Sequence, residues 1–268
     1  MINILFTGEI TGRPGIQCIK VLLDKIKKEN DVDYTVSNCE GMTNGFGIGK
    51  AHASQLAKMG VNLSCGAEKL FYKIDMVEGI TKNPFILRPY NMNPATPGKS
   101  FRIVEIKGKK FLIANLIGNS QMNRIAANNA FLSAERLLEK AESENAKLII
   151  FFHAATTAEK NTMLYFLKGK AAAVIGTHTK VLTADAKVLY GTAYISDTGR
   201  VGAFYSVSGF ESQTEIRKYM RAIPERSHEC WSEGRFDGVL VSIDEESGMA
   251  VDVKTIAERC TLERPENG

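Results

Sequence analysis

The stretch AAAVIGTHTK, residues 171–180, decides how the rest of the chain reads. Residues 171–175 form an unbroken apolar run, the pattern of a strand buried on both faces. Gly176 ends the run and His178 follows at once, so an imidazole stands on a loop leaving a buried strand, which is how many metal sites are built. Lys180, two residues on, sets an ammonium on the side where a second metal ligand would serve better.

Working outward, similar apolar runs occur at 2–6, 34–36, 61–63, 111–116 and 148–152, with amphipathic segments between several of them. The alternation predicts an α/β fold. Pro14 sits at a first helical position before 16–28, and Gly60 closes a helix over 51–59. A further helix is expected over 133–143, and Thr156 with Glu159 has capping-box spacing ahead of 160–167. Two hairpins break the alternation, 101–106 with 110–116 and 238–243 with 249–253, and they predict antiparallel edges on a mixed sheet. With no repeat, low-complexity tract or linker, a single domain is expected over 1–260, followed by a disordered tail over 261–268.

Composition narrows the class. The 268 residues are 44% hydrophobic and 24% charged, with a net charge of only +4, so neither nucleic acid nor a membrane is indicated as the main partner. Cys18, Cys39, Cys65, Cys230 and Cys260 show no CxxC spacing and are odd in number, which argues against a structural zinc and a disulfide framework. A reducing, cytoplasmic location is expected, since the chain opens on a strand pattern and no apolar run reaches membrane length.

The residues just past each strand form the informative regularity. Gly8-Glu9 comes after the first run, Asn38-Cys39-Glu40 after the second, Cys65-Gly66-Ala67-Glu68 after the third, His153 after the run 148–152, and Thr177-His178 after the run 171–175. In open α/β sheets ligands bind beyond the carboxyl ends of strands, so these residues can converge. Carboxylates and imidazoles in one crevice suit zinc, manganese or iron better than magnesium or calcium. Taken singly, Glu9 reads as a cap or solvated residue and His153 as a core histidine; the repetition over five strand ends is what favours a site. Gly41, Gly45, Gly47 and Gly49 before Lys50 lack the ending of a phosphate loop and read as a flexible flank. His228 and Cys230 read as surface-loop residues, and His52 as structural.

Several phrases together resemble the YmdB-type bacterial metallophosphoesterases: Gly8-Glu9-Ile10-Thr11-Gly12-Arg13-Pro14-Gly15, Arg88-Pro89 with Thr96-Pro97-Gly98-Lys99, Phe152-His153-Ala154 with Glu159-Lys160, Gly176-Thr177-His178-Thr179 with Thr183-Ala184-Asp185, and 191–197. The likeness is collinear from residue 1 to about 255. It implies a calcineurin-like fold, a four-layer α/β/β/α sandwich with mixed sheets. It also implies a two-metal site that hydrolyses phosphodiesters such as cyclic nucleotides, and homo-oligomers.

Carried over residue by residue, the resemblance implies a damaged metal centre. Glu9 stands for the aspartate on the first metal and Glu40 for the bridging glutamate; Gly41 and Ala67 replace asparagines; Glu68 replaces the histidine that donates a proton; His153 and His178 match second-metal histidines; Lys180 replaces a first-metal histidine. Glu40, His153 and His178 would then hold one transition metal, manganese, iron or zinc, or none, but not two. Lys180 offers no lone pair, yet its ammonium can neutralise Glu9 and Glu40. Glu68 can act as an acid only if burial raises its pKa. Lys180, Asn38 and the loop 41–50 are the candidates for holding phosphate. The expected function is a pseudoenzyme with a binding or regulatory role, or a very slow phosphodiesterase. The alternatives are an active phosphodiesterase with a rearranged centre and a metal-free interaction scaffold. Expected partners are a second copy of the chain, another protein or a phosphate-containing small molecule.

Overall fold

The computed structural model describes residues 1–265. In chain order it contains β1 (Ile2–Thr11), α1 (Gly12–Glu29), β2 (Tyr34–Gly41), α2 (Lys50–Lys58), β3 (Leu63–Cys65), the short α3 (Ile74–Gly79), β4 (Ile86–Leu87), β5 (Phe101–Ile106), β6 (Lys109–Ile117), α4 (Ala130–Ser143), β7 (Lys147–His153), α5 (Thr157–Leu167) and β8 (Ala173–Thr177). It closes with β9 (Lys187–Leu189), β10 (Thr192–Ile195), β11 (Arg200–Ala203), α6 (Ser212–Arg221), β12 (Gly234–Ile243) and β13 (Ala250–Cys260).

Two mixed sheets result, one ordered β13-β12-β11-β1-β2-β3-β4 and the other β5-β6-β7-β8-β10-β9. The apolar faces dictate how they stack. Ile4, Phe6 and Val241 of the first sheet meet Ile113, Phe151 and Ile175 of the second in one core between the sheets, with the Phe6 and Phe151 rings 5.9 Å apart. The other face of the first sheet packs Leu5, Ile10 and Leu240 against Ile19, Leu23 and Ile26 of α1. On the far face of the second, Leu148, Ile150 and Phe152 pack against Leu137 of α4 and Leu164 of α5. The inner strands therefore bury both faces while β5, β9 and β13 at the edges stay partly exposed, and the layers read α/β/β/α, the sandwich expected from the resemblance.

Both expected hairpins form, as β5-β6 and β12-β13. The strands carrying site residues extend past their apolar runs: β1 continues to Thr11 and β2 to Gly41, because their polar residues are buried and still paired. The run at 171–175 forms its strand two residues later, at Ala173–Thr177. The strands β4, β9, β10 and β11 and the helix α6 had no counterpart in the sequence reading, being short or, for α6, polar over most of its surface. Of the tail expected over 261–268, residues 261–265 have no regular secondary structure, Leu262 packs against the α1 side of the first sheet, and 266–268 lie outside the described residues. Among the described residues no helix is long and apolar enough to cross a membrane.

Candidate metal and phosphate site

The carboxyl ends of strands from both sheets meet at one edge of the sandwich. Glu9 lies on β1 where the ladder to β2 shifts register twice, between Phe6 and Glu9 and again between Glu9 and Thr11. Such irregularities re-aim a side chain, and here the strand delivers a carboxylate to the edge. Asn38, Glu40 and Gly41 end β2, Ala67 and Glu68 follow β3, His153 is the last residue of β7, and His178 and Lys180 follow β8. All are buried except His178, which is half-buried. The structure therefore places these residues at the same edge.

The arrangement divides into two halves. In one, Lys180 Nζ lies 2.8 Å from Glu9 Oε1 in an ion pair linking the two sheets. The approach is off the direction of a hydrogen bond, and among the described residues neither buried oxygen of Glu9 has a hydrogen-bond partner. Gly41 belongs to this half by subtraction, since a Cβ built there would stand 2.4 Å from Glu9 Oε1. The extra methylene of a glutamate at 9 thus occupies the room that a side chain at 41 would need. Glu40 faces backbone: its two carboxylate oxygens accept the N–H groups of Ala67 and Lys69. Burial, and next the charge of Glu9, push its carboxyl up to about 8, against the opposing pull of Lys69. Asn38 turns its Oδ1 to the Glu40 N–H at 3.1 Å, leaving Nδ2 a buried donor without a partner among the described residues.

In the other half, ligand atoms of Glu68, His153 and His178 lie within 4.8 Å of one another. The carboxylate in this group is Glu68, where Glu40 was the expected partner of the imidazoles. His153 Nδ1 lies 2.9 Å from Thr177 Oγ1, and its Nε2 lies 3.0 Å from His178 Nδ1, with the rings perpendicular. Burial, then the neighbouring His178, holds His153 well below the usual imidazole range. Burial, then the charge of Lys160, pushes His178 down to about 4. Both rings stay neutral, the form that donates a lone pair to a metal. Burial raises the Glu68 carboxyl, while Arg124, with Nε 3.4 Å from Glu68 Oε1, pulls the other way.

These donors fit one cation, with two neutral imidazole nitrogens and one carboxylate oxygen gathered at a cleft. The Glu9 half does not fit a second, since an ammonium already faces the carboxylate and neither Gly41 nor Ala67 has a donor side chain.

Some supporting residues had no assigned role in the sequence reading. Asp197, just after β10, accepts the N–H groups of Thr179 at 2.8 Å and Gly199 at 2.9 Å, and pairs with the buried Lys160 of α5 at 3.3 Å. It thereby holds the turn in which His178 has φ 110° and Lys180 φ 62°, left-handed conformations that non-glycine residues rarely adopt. In the sequence, Asp197 and Lys160 stood within the phrases that carry the family resemblance, without a role of their own.

With this geometry in hand, the relatives are informative. The family described as YmdB-like protein matches residues 5–256. A Bacillus subtilis (strain 168) protein named 2',3'-cyclic-nucleotide 2'-phosphodiesterase is 31% identical over 255 residues, covering 95% of this chain and 96% of its own length. The crystal structure of a novel phosphatase from Mycoplasma pneumoniae superposes with a TM-score of 0.90 at 27% identity, covering 96% of this chain and 93% of that one. A hypothetical protein from Thermus thermophilus superposes with a TM-score of 0.89 at 28% identity, covering 96% of this chain and 99% of that one. A sandwich of this topology, matched over nearly its whole length to a phosphatase structure and a phosphodiesterase sequence, has the calcineurin-like phosphoesterase fold, and the chain belongs to the YmdB-like family.

Proposed function

We propose that this chain binds a phosphodiester or phosphate ligand at a cleft holding at most one divalent transition metal, and that it is a pseudoenzyme with a binding or regulatory role, or a very slow phosphodiesterase. The observation that carries the reading is Lys180 Nζ 2.8 Å from Glu9 Oε1, which supports an ammonium as the positive charge of that half of the cleft. Two-metal hydrolysis uses ions about 3.5–4 Å apart to clamp the attacking and leaving oxygens. One ion on Glu68, His153 and His178 would supply Lewis-acid polarisation of a phosphoryl oxygen.

The chain's own groups supply the rest. Lys180 and the unpartnered Asn38 Nδ2 are the donors for a phosphate oxygen, and Glu9 fixes the ammonium by its charge. Glu68 cannot ligate an ion and donate a proton to a leaving oxygen at once, so its place beside the histidines weakens acid catalysis. That same place favours the second reading, an active phosphodiesterase whose centre is rearranged around Glu68.

The test is hydrolysis of 2',3'-cyclic nucleotides and a generic aryl phosphodiester in excess manganese, beside phosphate-ester binding by calorimetry. The expected result is binding with turnover at or near background. Robust manganese-dependent cleavage that disappears in His178→Ala would establish the rearranged active centre instead.

A further inference from the structure

Beside the cleft lies an open cavity of about 800 Å³ lined by none of the candidate metal ligands, though Asn44 and Phe46 of the loop 41–50 reach it. Its aromatic lining is Phe46, Tyr72 and Trp231. The Phe46 and Tyr72 rings are parallel to within 2°, with centroids 6.1 Å apart, and both are exposed, Phe46 at 37% and Tyr72 at 49%. Its cations are Arg13, Lys73, Arg226 and Arg264, against the carboxylates Glu211 and Glu229. Glu229 is engaged by Arg13 at 3.1 Å, and the Arg13 guanidinium lies 5.9 Å from the Trp231 ring centroid.

The cavity is coupled to the cleft through named contacts. Tyr72 Oη accepts from Arg124 Nη1 at 3.1 Å, and Arg124 also faces Glu68. Phe46 packs on Phe210 at 6.3 Å, and Lys180 Nζ stands 5.9 Å from the Phe210 ring. The loop between β2 and α2 is shaped for this row of rings. Gly45, at φ 80°, lies so close to Phe210 that a Cβ would come within 2.2 Å of Cζ, so only glycine lets the loop settle on it.

We infer that this cavity is a stacking site for the bases of single-stranded nucleic acid, with Phe46 and Tyr72 as the platform and the surrounding arginines and lysine as the phosphate contacts. Partly exposed aromatic rings beside cations, with Lys69 Nζ 5.8 Å from the Phe46 centroid, are the combination that single strands use, because every base offers a π-face and every linkage a charge. A duplex keeps its bases stacked and cannot present them to a cavity. A purely anionic ligand would leave the rings unused. That the neighbouring phosphodiester reaches the metal cleft rests on the proposed function; the binding of bases does not.

Trp231 is the chain's single tryptophan and lines this cavity, so its fluorescence reports occupancy directly. The whole protein, in chelator to prevent turnover, is titrated with single-stranded octauridylate, with an RNA duplex and with inorganic polyphosphate of equal charge. The expected result is saturable quenching by the single strand, weakening as salt rises. Affinity should fall about 10-fold or more in the doubly substituted Phe46→Ala/Tyr72→Ala protein, checked for folding by circular dichroism. Arg226→Ala/Arg264→Ala should weaken binding and flatten its salt dependence. Octamer binding in chelator tests this inference, and manganese uptake by the parent and by His178→Ala, measured without chelator, tests the cleft reading, so failure of one is distinguishable from failure of the other. Absence of quenching by the single strand, equal affinity for polyphosphate or duplex, or unchanged affinity in the folded Phe46→Ala/Tyr72→Ala protein would overturn it.

Discussion

Glu9, Gly41 and Lys180 explain one another. Lys180 alone was legible in the sequence as an ammonium out of place after a buried strand, and its neutralising role was expected. That Gly41 is the steric complement of Glu9 needed coordinates, because 32 positions separate them and only the folded strands bring them together. Two substitutions test the relation. Lys180→Met strands a buried carboxylate and should lower the unfolding free energy in urea by about 3–5 kcal/mol, with Glu9→Gln in the same chain recovering most of it. Gly41→Asn should cost about 1–3 kcal/mol from crowding, relieved when Glu9→Asp withdraws the carboxylate. The histidines add a pH dependence. Unfolded, His178 titrates near 6.5, and folded near 4, so between these values the unfolded chain binds more protons and stability falls as pH drops through the window. In chelator-treated protein, the stability difference between the parent and His178→Gln should therefore shrink from pH 7 to pH 4, as the parent loses what the variant never had.

At the scale of elements, the sequence located most of the strands and helices but misjudged where strands end. Hydrophobic runs stop at the first polar residue, whereas β1 and β2 continue through buried Glu9, Asn38 and Glu40. Polar residues in buried strands break the pattern where a site demands them. The capping box at α5 is half formed. Thr156 Oγ1 accepts the Glu159 N–H at 3.3 Å, but the Glu159 carboxylate accepts from Asn119 at 2.6 Å and Ser120 at 3.2 Å, so a tertiary contact displaced the local one. The turn after β8 depends on Asp197. Asp197→Ala should leave Lys160 buried without its partner and the Thr179 N–H unsatisfied, at about 3–5 kcal/mol, with metal affinity lost as His178 is released. Thr156→Ala, which removes only a cap, should cost about 1 kcal/mol and leave metal affinity intact. Urea unfolding and metal titration on both variants distinguish the two.

Across the whole molecule, the sandwich sets two sheets so that carboxylates from one and imidazoles from the other share an edge. The sequence showed which residues gather there, since they lie just past strands, but not how they divide. Glu68 stands with the histidines while Glu40 turns to the backbone of 67 and 69, a choice set by the loop after β3 and invisible to any periodicity. The central claim is that one half of the centre has become a fixed ammonium and the other still accepts a cation. Elemental analysis after saturation with manganese and removal of the excess tests it most directly. The account predicts no more than one ion per chain, falling to none in His178→Ala; two ions per chain would contradict it.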